Sequence, residues 1–209
     1  MSTHNLKLYR HALSGHSHRV ELFLSLLGLD PVLIDVDLLN GEHQQQPFLD
    51  KNPLGQVPVL EDGGTLIADS NAILVYLARK YASRDLWLPS DPRQGADVQR
   101  YLSIAAGELV QGPAAARLVT VFGATLDQEA AKARSRALFT ILNTQLGRRR
   151  FLAGASVSIA DLAMYTYAAH APEGGIDLSP YPHLRTWLAR IESLPGFVGM
   201  QRSPVALAA

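Results

Sequence analysis

The stretch NPLGQVPVLEDGG (52–64) sets the problem on which the fold turns. Val57, Val59 and Leu60 read as a strand, yet Pro58 sits inside the run and has no N–H to give to a ladder. Proline within a sheet belongs on an edge strand, at a bulge or at a strand's first residue. Two readings fit these residues. One is an edge strand that tolerates the proline. The other is a cis Val57-Pro58 peptide, a form open at small cost only to X-Pro bonds. A cis turn would aim the N–H and C=O of Val57 outward, where an extended peptide ligand can pair with them as an added strand. Downstream, the turn Asp62-Gly63-Gly64 between two short apolar runs predicts a hairpin with a strand at 65–68.

Working outward, residues 6–9 predict a first strand. Val20, Phe23, Leu24 and Leu27 then recur at helical spacing, and Gly28 stops that helix. A second strand is predicted at 32–36. After the hairpin, Asp69 or Ser70 caps a helix with Ile73, Tyr76, Leu77 and Tyr81 on one face. The order β-α-β-(α)-β-β-α predicts a parallel βαβ unit followed by a hairpin and a helix, in a four-stranded mixed sheet. Beyond residue 83 the composition changes. ASRDLWLPSDPRQ (82–94) reads as a linker that ends in Asp91-Pro92, an N-cap followed by proline at the first helical position. No convincing strand signal follows. A helix at 96–122 should kink at Gly112-Pro113. Thr125 and Gln128 predict a capping box for the next helix, which runs to Leu146. Ser158 and Asp161 predict another box, opening SIADLAMYTYAAH (158–170). YPHLRTWLARIES (181–193) is a last helix, stopped by Pro195-Gly196.

Composition excludes several classes. Lys+Arg and Asp+Glu both number 19, so the chain lacks the basic excess expected of a nucleic-acid binder. The one basic cluster, Arg148-Arg149-Arg150, follows a helical pattern, where cations suit a helix C-terminus. With no cysteine there is no disulfide framework and no thiol chemistry of the protein's own. No run is long and apolar enough to predict a membrane span. MSTHNLKLYRH (1–11) lacks the apolar core of a signal peptide, so the expected compartment is the cytoplasm.

Three places carry candidate chemistry. In ALSGHSHRV (12–20), Ser14 lies between the first strand and the first helix, where backbone N–H groups and the helix dipole favour an anion. Ser14-Gly15-His16-Ser17 occupies the place of the Cys-x-x-Cys of a thioredoxin-type redox protein. Serine cannot exchange disulfides, but it can donate a hydrogen bond to a thiolate that a ligand brings. Ser14 or Ser17 read alone is simply an N-cap. Asp69-Ser70, at the next helix start, can hold an amino-acid head group: Ser70 and backbone N–H groups take the carboxylate and Asp69 takes the ammonium. The plain alternative is again a cap. The Val57 backbone is the third place. His11, His16 and His18 do not predict a metal site, because residues two apart on a helix do not share a face. A hydrolase is not predicted either, since the Gly-x-Ser-x-Gly elbow is missing.

Taken together, a serine, an exposed valine backbone and an amino-acid clamp suit one thiol-containing peptide. NPLGQVPVLEDG followed by ADSNAILVYLARKY, with SIADLAMYTY and YPHLRTWLARIESLPGF, resembles the cytosolic glutathione transferases over essentially the whole chain. The resemblance implies a thioredoxin-like α/β domain at 1–83, a linker at 84–92, and an all-α domain at 93–209 that completes the electrophile site. It implies that Val57, beside cis-Pro58 and preceded by Gln56, holds the cysteinyl backbone of glutathione. Asp69 and Ser70 clamp the γ-glutamyl group, where the family often has Glu at the acidic position. Ser14 is the catalytic hydroxyl, with Ser17 its rival, and His43 is the cation for the glycine carboxylate. Gly15 and His16 depart from the zeta-class pattern, which argues against an isomerase of that class. Implied as well are a small hydrophobic electrophile held by the helix at 111–121 through Gln111 and Arg117, a homodimer, glutathione as co-substrate, and no metal, nucleic acid or membrane. A glutathione-dependent disulfide reductase or peroxidase on the same fold, and a non-catalytic binding protein, remain open at this point.

Overall fold

The computed structural model of the chain describes residues 5–83 and 85–203. It divides into two compact units, one within Met1–Ala82 and Pro195–Gln201, the other within Ser83–Leu194 and Arg202–Ala209. The segment Pro195–Gln201 thus joins the first unit, whereas the sequence reading included it in the all-α domain at 93–209. Ser25 Oγ donates to the Gly196 carbonyl at 2.7 Å, and His18 Nε2 donates to the Val198 carbonyl at 2.9 Å. These partners stand 171 and 180 positions apart, too far for any local pattern to show them.

The first unit runs β1 (Leu6–Arg10), α1 (Gly15–Leu26), β2 (Val32–Asp35), a 3-10 turn (Glu42–Gln44), α2 (Gln46–Leu49), β3 (Val59–Asp62), β4 (Thr65–Ala68) and α3 (Ser70–Lys80). The sheet order is β2-β1-β3-β4, with β1 and β2 parallel and the other pairs antiparallel. β3 is therefore internal, which removes the edge-strand reading of Pro58. The Val57-Pro58 peptide is cis, and the ladder begins at Val59, immediately after the proline. The hairpin is tighter than expected. Asp62 pairs with Thr65, so Gly63 and Gly64 alone form the turn, with φ of 56° and 90° that suit residues without a Cβ. Asp62 is thereby a strand residue. Its carboxylate accepts from Tyr76 Oη (2.8 Å), Lys80 Nζ (2.7 Å) and Tyr81 Oη (2.6 Å), which ties the end of α3 to the hairpin.

Strand alternation divides the apolar residues between two faces. Leu6, Leu8 and Leu60 are buried in the main core together with Val20, Phe23 and Leu24 of α1 and Ile73, Leu74 and Leu77 of α3, and α1 packs on α3. A second cluster gathers Val59, Val36 and Phe48, with Tyr9, Val57 and Ala68 partly buried against it. The register sets Tyr9 beside Val59 and Val59 beside Ala68. The C-terminal end of β1, the N-terminal end of β3 and the C-terminal end of β4 therefore lie at one end of the sheet.

The second unit is helical: α4 (Pro92–Ala106), a π-helical turn (Val110–Ala114), α5 (Ala115–Phe122), α6 (Gln128–Leu146), α7 (Ile159–Ala169) and α8 (Pro182–Glu192). The kink falls at Gly112 (φ −101°, ψ −106°), before Pro113. A Cβ at Gly112 would come within 3.2 Å of Ser135 Oγ on α6. The cap of α6 is Asp127, which accepts from Ala130 N at 2.9 Å, and not the expected pair Thr125 and Gln128. Asp127 lies directly before the helix, and Gln128 turns its amide to Thr120 Oγ1 at 2.7 Å. The Ser158–Asp161 box forms as expected. Asp161 also accepts from Leu152 N and Trp187 Nε1, each at 2.9 Å, and so joins α7 to its preceding loop and to α8. Among the described residues, no helix is long and apolar enough to cross a membrane.

Two substitutions should separate a cap from a hub. Ser158→Ala removes an N-cap side chain and should lower unfolding free energy by about 1 kcal/mol. Asp161→Ala strands buried donors on two further elements and should cost about 3 kcal/mol or more. Urea unfolding measures both, and equal losses would contradict the role given to Asp161.

Candidate active site

Ser14 is the N-cap of α1, with extended backbone (φ −86°, ψ 117°). Its Oγ accepts from Ser17 N at 3.3 Å, and its carbonyl accepts from His18 N at 2.9 Å. A hydroxyl that accepts still carries its own proton. Capping the helix and donating outward are therefore compatible roles for Ser14, which is half-buried. Ser17 is fully buried, and its Oγ accepts from His11 N at 3.2 Å, which holds the 11–14 loop against the helix. The histidines of this segment turn to separate partners: His11 Nδ1 accepts from Leu13 N, His18 bonds the Val198 carbonyl, and His16 meets Ser70. Among the described residues, no three His, Asp or Glu side chains gather as a metal site.

Asp69 leaves β4 with φ 70° and ψ 122°, a conformation that strains a residue bearing a Cβ. Such strain is of order 1–3 kcal/mol and clusters at functional sites. The Asp69 side chain caps α3 by accepting from Ala72 N at 2.8 Å and stays exposed. Ser70, the first residue of α3, is buried. His16 Nδ1 lies 3.2 Å from its Oγ, and Arg19 Nη1 donates to the same oxygen at 3.3 Å and to Asn71 Oδ1 at 2.9 Å. These bonds lash the starts of α1 and α3 together. Burial, and then the charge of Arg19, push the His16 imidazole down to about 3, so it is neutral near neutral pH.

The 52–57 loop is built on a buried Asn52. Its Nδ2 donates to the Gln56 carbonyl at 2.8 Å, its Oδ1 accepts from Leu54 N at 3.1 Å, and its own carbonyl accepts from Gly55 N at 2.9 Å. Gly55 has φ 59°, and a Cβ there would lie 2.9 Å from the His43 carbonyl oxygen. That close approach sets His43 beside the segment leading to Gln56 and Val57. His43 Nε2 is 3.3 Å from the Gln44 amide nitrogen, and its buried Nδ1 has no hydrogen-bond partner among the described residues. The Gln56 side chain is exposed, whereas Val57 turns its side chain inward onto the Val59 cluster.

In the helical unit, Gln111 is exposed and accepts from Arg134 Nη1 at 2.9 Å. Arg117, expected as a polar contact for an electrophile, is 2% exposed and ion-paired with Glu173. The other oxygen of Glu173 bonds His170 Nδ1 at 2.9 Å and Ser203 N at 3.0 Å. An apolar helix with one arginine read as a lined pocket, but the carboxylate that neutralises it lies 56 positions away. Sequence reading assigned no role to Asn52 or Arg19 and did not foresee the contact of His16 with Ser70. Nothing local in Asn52-Pro53 reveals that the asparagine side chain frames the 52–57 loop from within.

Residues 4–79 match the family model for the glutathione S-transferase N-terminal domain, and residues 116–195 match that for the C-terminal domain. The chain is 34% identical over 201 residues to human glutathione S-transferase theta-2, a match covering 91% of this chain and 82% of that protein. The crystal structure of a glutathione S-transferase from Pseudomonas fluorescens is similar to it at TM-score 0.88 and 35% identity, over 93% of this chain and 98% of that one. A glutathione transferase homologue from Drosophila mojavensis, solved with bound glutathione, is similar at TM-score 0.83 and 28% identity, over 92% and 90% of the two chains. The chain belongs to the glutathione S-transferase family.

Proposed function

We propose that this glutathione transferase activates the thiol of glutathione through Ser14 and joins the thiolate to a small hydrophobic electrophile. The observation that carries this reading is the state of Ser14: it caps α1 as an acceptor, which leaves its O–H to donate beside the positive end of that helix. Ser17, the rival donor, accepts from the His11 N–H in the same way but is fully buried, whereas Ser14 is half-buried. A cysteine thiol titrates near about 8.5, so only a few per cent is thiolate at neutral pH. A hydrogen bond to the thiolate worth about 1.5–3 kcal/mol lowers that pKa by about one to two units. The sulfur then attacks with its electron pair, forming the S–C bond, and the leaving group departs with the pair it shared with carbon.

Around that sulfur, the Val57 backbone pairs with the cysteinyl residue, with Pro58 keeping Val57 out of the ladder and Gln56 exposed alongside. Asp69 takes the γ-glutamyl ammonium, while Ser70 and the first N–H groups of α3 take its carboxylate. His43 takes the glycine carboxylate, supported by its packing against Gly55. Gln111 is retained as an electrophile contact on the ground of its exposure, and Arg117 is not, because its charge is committed to Glu173. Detoxification by a cytoplasmic homodimer is the setting that family membership supports, and sedimentation analysis tests the dimer.

Ser70→Ala should weaken glutathione binding by about tenfold or more, since a hydrogen bond to a charged group is lost. Calorimetry on the folded variant checks this, and unchanged affinity would remove Ser70 from the site. Ser14→Ala should lower kcat/KM with a halonitroaromatic by about tenfold or more, in line with the lost thiolate fraction, while glutathione still binds. Wild-type turnover in Ser14→Ala would reject the serine mechanism.

A further inference from the structure

Arg19 is fully buried, although an arginine is rarely taken so far from water. It sits on α1, five residues beyond Ser14, and its guanidinium reaches across to the start of α3. Nη1 donates both to Ser70 Oγ (3.3 Å) and to Asn71 Oδ1 (2.9 Å). A guanidinium has donors only, so this bond occupies a lone pair of the Ser70 hydroxyl and leaves the proton pointing elsewhere. His16 Nδ1 lies 3.2 Å from the same oxygen, and in the tautomer with its proton on Nδ1 it donates to the second lone pair and leaves the hydroxyl proton for the ligand.

We infer that Arg19 is the positioning residue of the γ-glutamyl carboxylate site: it orients the Ser70 hydroxyl toward the carboxylate and places a buried positive charge behind it. The inference rests on the assignment of Ser70 to the γ-glutamyl group. The physical reasoning is short. Asp69, needed for the ligand's ammonium, puts a negative charge next to the place where the ligand's carboxylate must sit. The dipole of α3 offsets only part of that repulsion. A unit charge about 6 Å from the carboxylate, in a partly buried setting, is worth on the order of tenfold to a hundredfold in affinity. Neutral His16 contributes orientation without charge. Asn71 holds the other side of the Nη1 donor, so the guanidinium cannot swing away from Ser70.

The test compares two ligands on the full-length protein. Glutathione carries the γ-glutamyl α-carboxylate, and 4-aminobutyryl-cysteinyl-glycine lacks that one group while keeping the amine, the thiol and the glycine end. Calorimetric dissociation constants give the preference for glutathione over the analogue in the wild type, Arg19→Gln, Arg19→Lys and Ser70→Ala. The preference should fall about tenfold or more in Arg19→Gln, where the charge is gone. In Arg19→Lys, which keeps the charge but loses the fork, it should fall by a smaller factor of about three. A purely structural role would weaken both ligands by the same factor and leave the preference unchanged, and that result in whichever variant folds overturns the inference. Loss of preference in Ser70→Ala without loss in the Arg19 variants keeps the Ser70 assignment and discards Arg19. An unchanged preference in Ser70→Ala discards the assignment itself.

Discussion

The site depends on one row of the sheet, in which Tyr9 stands beside Val59 and Val59 beside Ala68. That register brings three chain segments to a single end of the sheet: the loop before α1, the Val57-Pro58 turn and the Asp69-Ser70 start of α3. A slip of one residue would reverse the face of every side chain in the slipped strand. Leu8 and Leu60 would leave the main core, so burial itself protects the register. The turn Gly63-Gly64 fixes it from the other end, because a two-residue loop admits only one pairing of Asp62 with Thr65. Pro58 ends the ladder at the required residue, since it has no N–H to extend it.

On that frame, the proposed function gives the chemical work to the starts of two helices. Each presents backbone N–H groups that favour an anion. Each begins with a residue that is both cap and ligand contact in the proposed mechanism: Ser14 for α1, and Asp69 with Ser70 for α3. Caps and contacts are usually weighed as rival explanations. Here they coincide, because a serine hydroxyl accepts and donates at once and a carboxylate accepts at two oxygens. Arg19 and His16 then hold the two helix starts to each other, so in the proposed function the thiol and γ-glutamyl ends of the ligand would meet parts of one bonded piece. Rigid placement matters more than raw contact, since small displacements of reacting groups are costly in rate.

Much of this was legible in the sequence, for reasons that differ by residue. Pro58, Gly63-Gly64 and the Ser158–Asp161 box act through local covalent or hydrogen-bonding constraints, so a short window reveals them. The whole-chain resemblance then ordered the pieces. What stayed hidden was set by distant partners. Arg117 looked available until Glu173 appeared across 56 positions, and Pro195–Gln201 fell within the all-α domain of the sequence reading until Ser25 and His18 claimed it. Asp127 displaced Thr125 as a cap because two candidates within three residues compete and backbone geometry decides. Arg19 and Asn52 carry no local signature at all. Arg19 is buried against side chains at the start of α3, a match that only the assembled unit shows, whereas Asn52 is buried with its partners inside its own 52–57 loop.

The central claim is that Ser14 lowers the thiol pKa of bound glutathione. Titrating the thiolate absorbance of the glutathione complex tests it without reference to any electrophile. The account predicts that Ser14→Ala raises the apparent pKa by about one to two units while glutathione still binds, the equivalent of one lost hydrogen bond to the thiolate. It predicts a smaller change for Ser17→Ala, whose hydroxyl is fully buried where that of Ser14 is half-buried. A Ser14→Ala complex that titrates like the wild type would contradict the account and pass the role of donor to Ser17 or to a backbone N–H of α1.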